Sequence, residues 1–366
     1  MLVNIANAQV EAGAEVGVLI INDNWEETLI GSFDKRVRLL YMHKRMGSGN
    51  PWFVVRMNRI LTKEDPDVIH LHAKGLISLL FSKNLRRKAC ATLHDVPSGA
   101  IRRKGWIYKI IPMLDITQPG NVVCIDKVGQ VFAISQTVHD ELLEKYGVES
   151  RVVCNGIPTS LFRQRGDRQS SVPLRIVQVS RIEHEKKGQD LLIRAVASMK
   201  GKVSVDFVGI GSSMEYLKKL AEKLDVSTCI KFLGKKTQKE VKAMLADYDL
   251  FVQPSRYEGF GLTVAEGMAA GLPVLVSAGQ GPAEVTCGDL YGWTFENGNV
   301  NSLVSTIEHI SSNYGQALDK AKAAYKHVKD TYDVSVTANH YLDEYKRLID
   351  MRKVNIRLTG GVRIMI

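Results

Sequence analysis

The sequence predicts an α/β protein of two doubly wound, Rossmann-like domains facing across a cleft. Short Val/Ile/Leu runs alternate with amphipathic helical patterns almost throughout, the signature of parallel strands covered on both faces. A polar, breaker-rich stretch, TSLFRQRGDRQSSVP at residues 159–173, divides that alternation into two blocks. At 366 residues, 45% hydrophobic and 24% charged, the chain is long and apolar enough for two cored domains.

The elements follow in order. Leu2, Ile5, Ala6 and Val10 space an amphipathic helix that ends at Gly13. Strands are then predicted at residues 16–21, 37–41, 68–71, 89–93, 131–134 and 151–154, with a helix over 136–146. This first domain is bounded at 1–158, with 159–173 as linker. The second, 174–330, carries predicted strands at 174–179, 203–208, 229–233, 250–253 and 274–277, with helices over 189–199, 214–224 and 239–246. Residues 301–347 read as mostly helical, and a helix at 331–350 is expected to pack back on the first domain. The basic tail 351–366 (MRKVNIRLTGGVRIMI) shows no periodicity and is left unassigned.

Composition narrows the function classes. No apolar run approaches the roughly 18 residues of a membrane span, and the first residues lack the basic and apolar regions of a signal peptide. Five scattered cysteines without a C-x-x-C exclude a disulfide framework and a simple zinc site, and point to a cytoplasmic protein. The formal charge of +10 is concentrated between Lys35 and Lys109, where 17 basic residues face four acids. Such a stretch suits a nucleic acid, an anionic membrane surface or a phosphorylated substrate. No nucleic-acid motif accompanies the charge, so no nucleic-acid partner is expected.

The strongest chemical signal is residues 249–277, DLFVQPSRYEGFGLTVAEGMAAGLPVLVS. It reads as strand, glycine-bearing loop, helix closed by Gly271, and a further strand opened by Pro273. Gly259 and Gly261 allow backbone amides to approach a ligand closely, beside a positively polarised helix start: an anion site suited to a diphosphate. Glu258 lies in the loop and Glu266 in the helix, where a carboxylate can accept two hydrogen bonds from vicinal hydroxyls. The alternative is a solvated acid pair on a surface helix. In VSRIEHEKKGQDLLIRA (179–195), Arg181 follows a strand and Lys187-Gly188 opens a helix, placing two cations where phosphates bind. Gly209-Ile210-Gly211 ends another strand but lacks the third glycine of a dinucleotide fingerprint. Phe232-Leu233-Gly234 closes the next.

These residues resemble the retaining glycosyltransferases of family 4, of GT-B fold, over about Leu2 to Ile349. Glu258 and Glu266 match their E-x7-E signature. The resemblance implies that Glu258 meets donor-sugar hydroxyls and Glu266 the nucleotide ribose, and that Arg181 and Lys187 hold the donor diphosphate, with Lys186 a neighbouring competitor for that role. Gly209, Gly211, Phe232, Gly259, Phe260, Gly261 and Leu262 are expected to line the nucleotide, and Glu284 to lie near it. The donor substrate is a nucleotide-diphosphate sugar. No cofactor, no metal and no D-x-D motif are expected, and the resemblance implies that none is needed.

In the first domain His72 and His94 each close a predicted strand at its carboxyl end, the ligand-binding edge of an open parallel sheet. His70 and His72 share a strand face, so a metal pair is conceivable, though no third ligand is evident. The resemblance favours His94 as a donor-sugar contact, and gives Asn155-Gly156-Ile157 a structural role. The basic–aromatic helix opened by Asn50-Pro51-Trp52-Phe53 and the segment AIRRKGWIYKIIPML (100–114) read equally as membrane-interface elements or as helices with one wet face.

The expected activity is therefore retaining sugar transfer to an acceptor hydroxyl, in cell-surface polysaccharide or glycolipid synthesis, with a peripheral place on the inner membrane face. A catalytically inactive sugar-nucleotide-binding protein and a sugar-nucleotide 2-epimerase are the alternatives. In the resembled family a strand and glycine-rich loop precede the helix that begins here at Leu2. The expectation is accordingly that Met1 is not the natural start, and that the strands at 16–21 and 68–71 carry unpaired, aggregation-prone edges.

Overall fold

The structure is a computed structural model and describes residues 1–96, 128–352 and 362–366. The chain forms two units. Unit 1 comprises Met1–Gly156 and Val334–Ile366, unit 2 Ile157–Asp333.

Unit 1 is built on a seven-stranded sheet: β1 (Glu15–Asn22), β2 (Arg38–Lys44), β3 (Val68–Leu71), β4 (Ala89–Leu93), β5 (Gln130–Ala133), β6 (Arg151–Val152) and a strand from the far end of the chain, Arg363–Met365. All pairings are parallel. Every residue of β3 and β4 is buried, because helices cover both faces, so these strands read as unbroken apolar runs instead of alternating ones. The helix Leu2–Glu11 and the long helix Val334–Arg352 share one apolar cluster on the sheet, Ile5, Ala6 and Val10 meeting Tyr341, Tyr345 and Ile349. Ser135 accepts from the Val138 N–H to start the helix Gln136–Tyr146, and Gly147 in the left-handed region ends it.

The strand Arg363–Met365, in the tail left unassigned above, corrects one expectation: β1 and β3 do not present unpaired edges to each other, since the tail strand lies between them. Three residues are too few to display a period, so only their neighbours reveal the element.

Unit 2 carries a six-stranded parallel sheet of β7 (Leu174–Val179), β8 (Val203–Val208), β9 (Ile230–Phe232), β10 (Leu250–Gln253), β11 (Val274–Ser277) and β12 (Trp293–Phe295), in the order β12-β11-β10-β7-β8-β9. The chain steps from β7 to β8 on one side and later to β10 on the other. The switch point thus falls between β7 and β10, where the loops leaving the two carboxyl ends open a crevice.

Residues 159–173, expected as a linker, belong to unit 2. The Arg165 side chain is wholly buried, donating to Asp249 Oδ1 (2.9 Å), the Tyr248 carbonyl (2.8 Å) and the Arg168 carbonyl (2.6 Å). The polar composition of the segment conceals this arginine, whose charge is neutralised inside. With the crossings at 156/157 and 333/334, the helix Tyr314–Tyr332 lies in unit 2 and Val334–Arg352 in unit 1. The strand Arg363–Met365 is β13.

Candidate functional site

The loop after β7 and the loop after β10 pass in direct contact. Gly188 ends the turn of helix His184–Lys187 with φ +67°, and a Cβ there would lie 1.9 Å from the Pro254 carbonyl oxygen. Only glycine permits both the conformation and the approach. The Arg256 and Tyr257 amides donate to the Lys186 carbonyl (2.8 and 3.2 Å). The Arg256 guanidinium forks onto both oxygens of Asp190, each at 2.8 Å.

This framework brings Lys187 and Glu258, 71 residues apart in sequence, into an ion pair. Lys187 is mostly buried while Lys186 is exposed, which settles which of the adjacent lysines turns inward. Glu258 is held from behind: its N–H donates to Gln280 Oε1 (3.2 Å) and its carbonyl accepts from the Gly281 N–H (2.9 Å). Arg181 stands at the end of β7, largely exposed, paired with Glu183 at 2.9 Å. The two cations and Glu258 thus gather at the switch point.

Beside them Gly261, at φ +97°, precedes the helix Leu262–Ala269, and Gly259 lies under Gly281 so tightly that a Cβ on Gly281 would come within 2.4 Å of it. Glu266 is buried in that helix with no side-chain hydrogen bond or ion pair among the described residues, and burial lifts its carboxyl to about 7 against the pull of Lys242. Phe260 was expected at the nucleotide, but its ring is buried edge-on to Tyr332 (5.4 Å), so only its backbone is available there. Gly209 and Gly211 bring the β8 loop against the β7 loop. A Cβ on either would fall 1.9 Å from the Ser180 carbonyl oxygen or 2.3 Å from that of Ile182. Phe232 stacks on Phe207 at 5.3 Å. Glu284 sits in the helix Gly281–Val285.

In unit 1, His70, His72 and His94 lie at or beyond the carboxyl ends of β3 and β4. The metal-pair reading of His70 and His72 fails, because both His70 ring nitrogens are taken, Nδ1 by the Tyr345 hydroxyl (2.6 Å) and Nε2 by Thr92 Oγ1 (2.7 Å). His72 Nδ1 faces His94 Nε2 at 3.5 Å. Burial lowers all three imidazoles, His72 to about 3, so they are neutral at pH 7. The segment 100–114 lies outside the described residues. Among the described residues, no group of three His, Cys, Asp or Glu is placed to hold a metal ion.

The expected absence of a D-x-D tripeptide is corrected: the chain has two, Asp65-Pro66-Asp67 and Asp247-Tyr248-Asp249. Both sit at the amino ends of strands, away from the ligand edge. Their carboxylates are engaged by Lys88 (2.6 Å) and the Arg363 N–H (3.0 Å) in unit 1, and by Arg163 and Arg165 (2.5 and 2.9 Å) in unit 2.

Sequence reasoning also missed three buried glutamines, Gln178, Gln189 and Gln253, each with an Oε1 that meets no partner. A signal was present: V-Q-x-S-R occurs at 177–181 and again at 252–256. These stretches end the two strands flanking the switch point, and in each the glutamine Nε2 donates to the serine Oγ, at 3.3 and 2.8 Å.

Comparison with known proteins follows the same division. Residues 1–161 match the family model for Glycosyltransferase Family 4, and residues 164–327 the model for Glycosyl transferases group 1. Glycogen synthase of Mycobacterium tuberculosis is 25% identical over 291 residues, 76% of this chain and 69% of that protein. The amylovoran biosynthesis glycosyltransferase AmsK of Erwinia amylovora is 29% identical over 185 residues, 48% of this chain and 45% of that one. The crystal structure of Anabaena Alr3699/HepE in complex with UDP and glucose shares the fold, with a TM-score of 0.72, 20% identity and 94% of each chain covered.

Proposed function

Since the chain belongs to the family 4-type glycosyltransferases of GT-B fold, we propose that it moves a sugar, with retention, from a nucleotide diphosphate to an acceptor hydroxyl in polysaccharide or glycolipid synthesis. The observation that carries the donor assignment is the Lys187–Glu258 pair at the switch point of unit 2, beside Arg181 and the start of helix Leu262–Ala269. In this reading the donor diphosphate takes Lys187 from Glu258, freeing the carboxylate for the sugar hydroxyls. Arg181, Lys187 and the amides of 259–262 then face the negative charge that develops as the bond from C1 to the diphosphate breaks. These fixed cations do the work a divalent metal does elsewhere, and the reading is metal-independent. The acceptor oxygen attacks C1 from the face the diphosphate leaves, and its proton passes to the departing phosphate oxygen, so no side-chain base is required. Glu266 takes the ribose hydroxyls, and His94 remains a proposed sugar contact.

A uridine diphosphate sugar is the first donor to test, on the likeness to the HepE structure that holds UDP and glucose. The names of AmsK and glycogen synthase support a polysaccharide product. The basic residues of 35–109, including Arg86 and Arg87 in the helix Lys83–Lys88, are proposed to meet an anionic membrane surface on the cytoplasmic side. Among the described residues no helix is long and apolar enough to cross a membrane. The test is calorimetry with UDP, GDP and ADP and their sugar conjugates, followed by assay of diphosphate release with glycan acceptors. Saturable binding of one base with turnover is the expected result. Binding without turnover on any acceptor would leave a sugar-nucleotide-binding protein, and no binding at all would overturn the assignment.

A further inference from the structure

We propose that the slot between β1 and β3 is a strand-binding site, and that its occupant is the chain's own segment 362–366, seated in cis. The segment is held on both sides. Arg363, Ile364 and Met365 pair with Glu15, Val16 and Gly17, while Ile364 and Met365 pair with Val68 and Ile69. The bonding runs past the strand at each end, from the Glu15 N–H to the Val362 carbonyl (3.2 Å) and from the Leu19 N–H to the Ile366 carbonyl (2.8 Å). Ile364 and Met365 are buried. The slot is shaped to match: a Cβ on Gly17 would stand 3.0 Å from the Met365 methyl, so β1 carries glycine where the thioether lies.

One wall of the slot is also longer than its occupant: β1 has eight residues, against four in β3 and three in β13. A cavity of about 500 Å³ opens at the amino end of β13, between Gly13 and Pro66, and one of about 390 Å³ at its carboxyl end, bounded by Ile20, His72 and Ile366. A segment that plugs the middle of a longer groove behaves as a seated ligand whose place could be taken by another extended chain. Asp67 argues for the cis arrangement. Its carbonyl accepts from Arg352 Nη2 (2.7 Å) at the end of the long helix, and its carboxylate accepts from the Arg363 N–H (3.0 Å) at the start of β13. Arg352 and Arg363 thus meet the same residue with ten positions between them in sequence, a separation whose closure costs little entropy.

Hydrogen exchange on the intact chain is the first test. The amides of Leu19, Asp67 and Ile366 should exchange at least a hundredfold more slowly than unstructured ones. Ile364→Asp should abolish that protection while β7, β10 and β11 of unit 2 keep theirs. In a chain ending at Arg352, the synthetic peptide GGVRIMI should restore protection to residues 15–19 saturably, and a peptide of the same length with aspartate for both buried residues should not. Three results would overturn the proposal: unchanged exchange at 15–19 in Ile364→Asp, absence of protection in the intact chain, or a dimer by light scattering whose cross-linked β13 lies in the other copy. Should the shortened chain aggregate, the intact chain and Ile364→Asp decide the matter.

Discussion

Glu266 offers the most discriminating test of the donor site, because its expected role and its physical cost pull in opposite directions. Its carboxyl is buried in the helix Leu262–Ala269, and burial raises it from the ordinary 4.5 to about 7. At 1.36 kcal/mol for each pH unit, ionising it in the folded chain costs about 3 kcal/mol. The folded value lies above the unfolded one, so the native state holds the extra proton. The Glu266 contribution to the stability of unit 2 should be most favourable below about 4.5, weaken as pH rises to about 7, and stay at the lower level above that. Glu266→Gln removes the ionisation and keeps the shape. At pH 8 it should be more stable than the parent by up to about 3 kcal/mol, with the advantage gone near pH 5. The same variant should bind nucleotide diphosphate about tenfold more weakly or worse, having lost a charge-assisted acceptor for the ribose. Parent affinity should rise as pH passes through about 7, and variant affinity should not. Urea unfolding from pH 5 to 8, with unit 2 followed by hydrogen exchange in β10 and β11, gives the stabilities, since two units need not unfold together. Parallel pH profiles for parent and variant, or a variant less stable at pH 8, would refute the reasoning. A gain in stability with unchanged nucleotide affinity would remove Glu266 from the ribose site alone.

Four further outcomes are expected. Lys187→Ala should weaken nucleotide diphosphate binding tenfold or more by calorimetry, since it removes a cation and strands Glu258. Glu258→Gln should instead preserve binding of the free diphosphate and impair turnover of the sugar nucleotide. Arg165→Met leaves the Asp249 carboxylate buried without its cation and should cost about 3–5 kcal/mol, read as a lowered urea midpoint for unit 2. Hydrogen bonds from Arg165, Ser171 and Arg175 hold the Asp249 carboxyl below the ordinary carboxylate range in spite of its burial. The stability it contributes is therefore present at neutral pH and lost as acid protonates it. Flotation with vesicles should recover the protein with anionic lipid at low salt and release it as salt rises; equal recovery with neutral lipid, or none at low salt, would make the basic surface one of solubility alone.

Unit 2 was the more legible half because each of its strands β7, β8, β10 and β11 is a compact apolar run closed by a turn residue, and its main motif carries its own punctuation at Gly259, Gly261, Gly271 and Pro273. The E-x7-E spacing and the two cations after β7 could likewise be read from the sequence, because each lies within one loop and one helix. The pairing of Lys187 with Glu258 could not. It depends on β7 and β10 being neighbours, and strand order is set by which apolar faces bury one another, not by distance along the chain. The same limit hid Arg165 in a polar tract until Asp249 was placed beside it, and left His70 open as a metal ligand until Tyr345 and Thr92 closed on its ring. It hid β13 most completely. What the sequence by itself determined was the alternation of elements and the chemistry offered at each loop, since both are written in neighbouring residues. What only the tertiary structure decided was that VRIMI, from the far end of the sequence, fills a place inside the first sheet between β1 and β3: a strand three residues long has no period of its own, and takes its conformation from the hydrogen-bonding edges on either side of it.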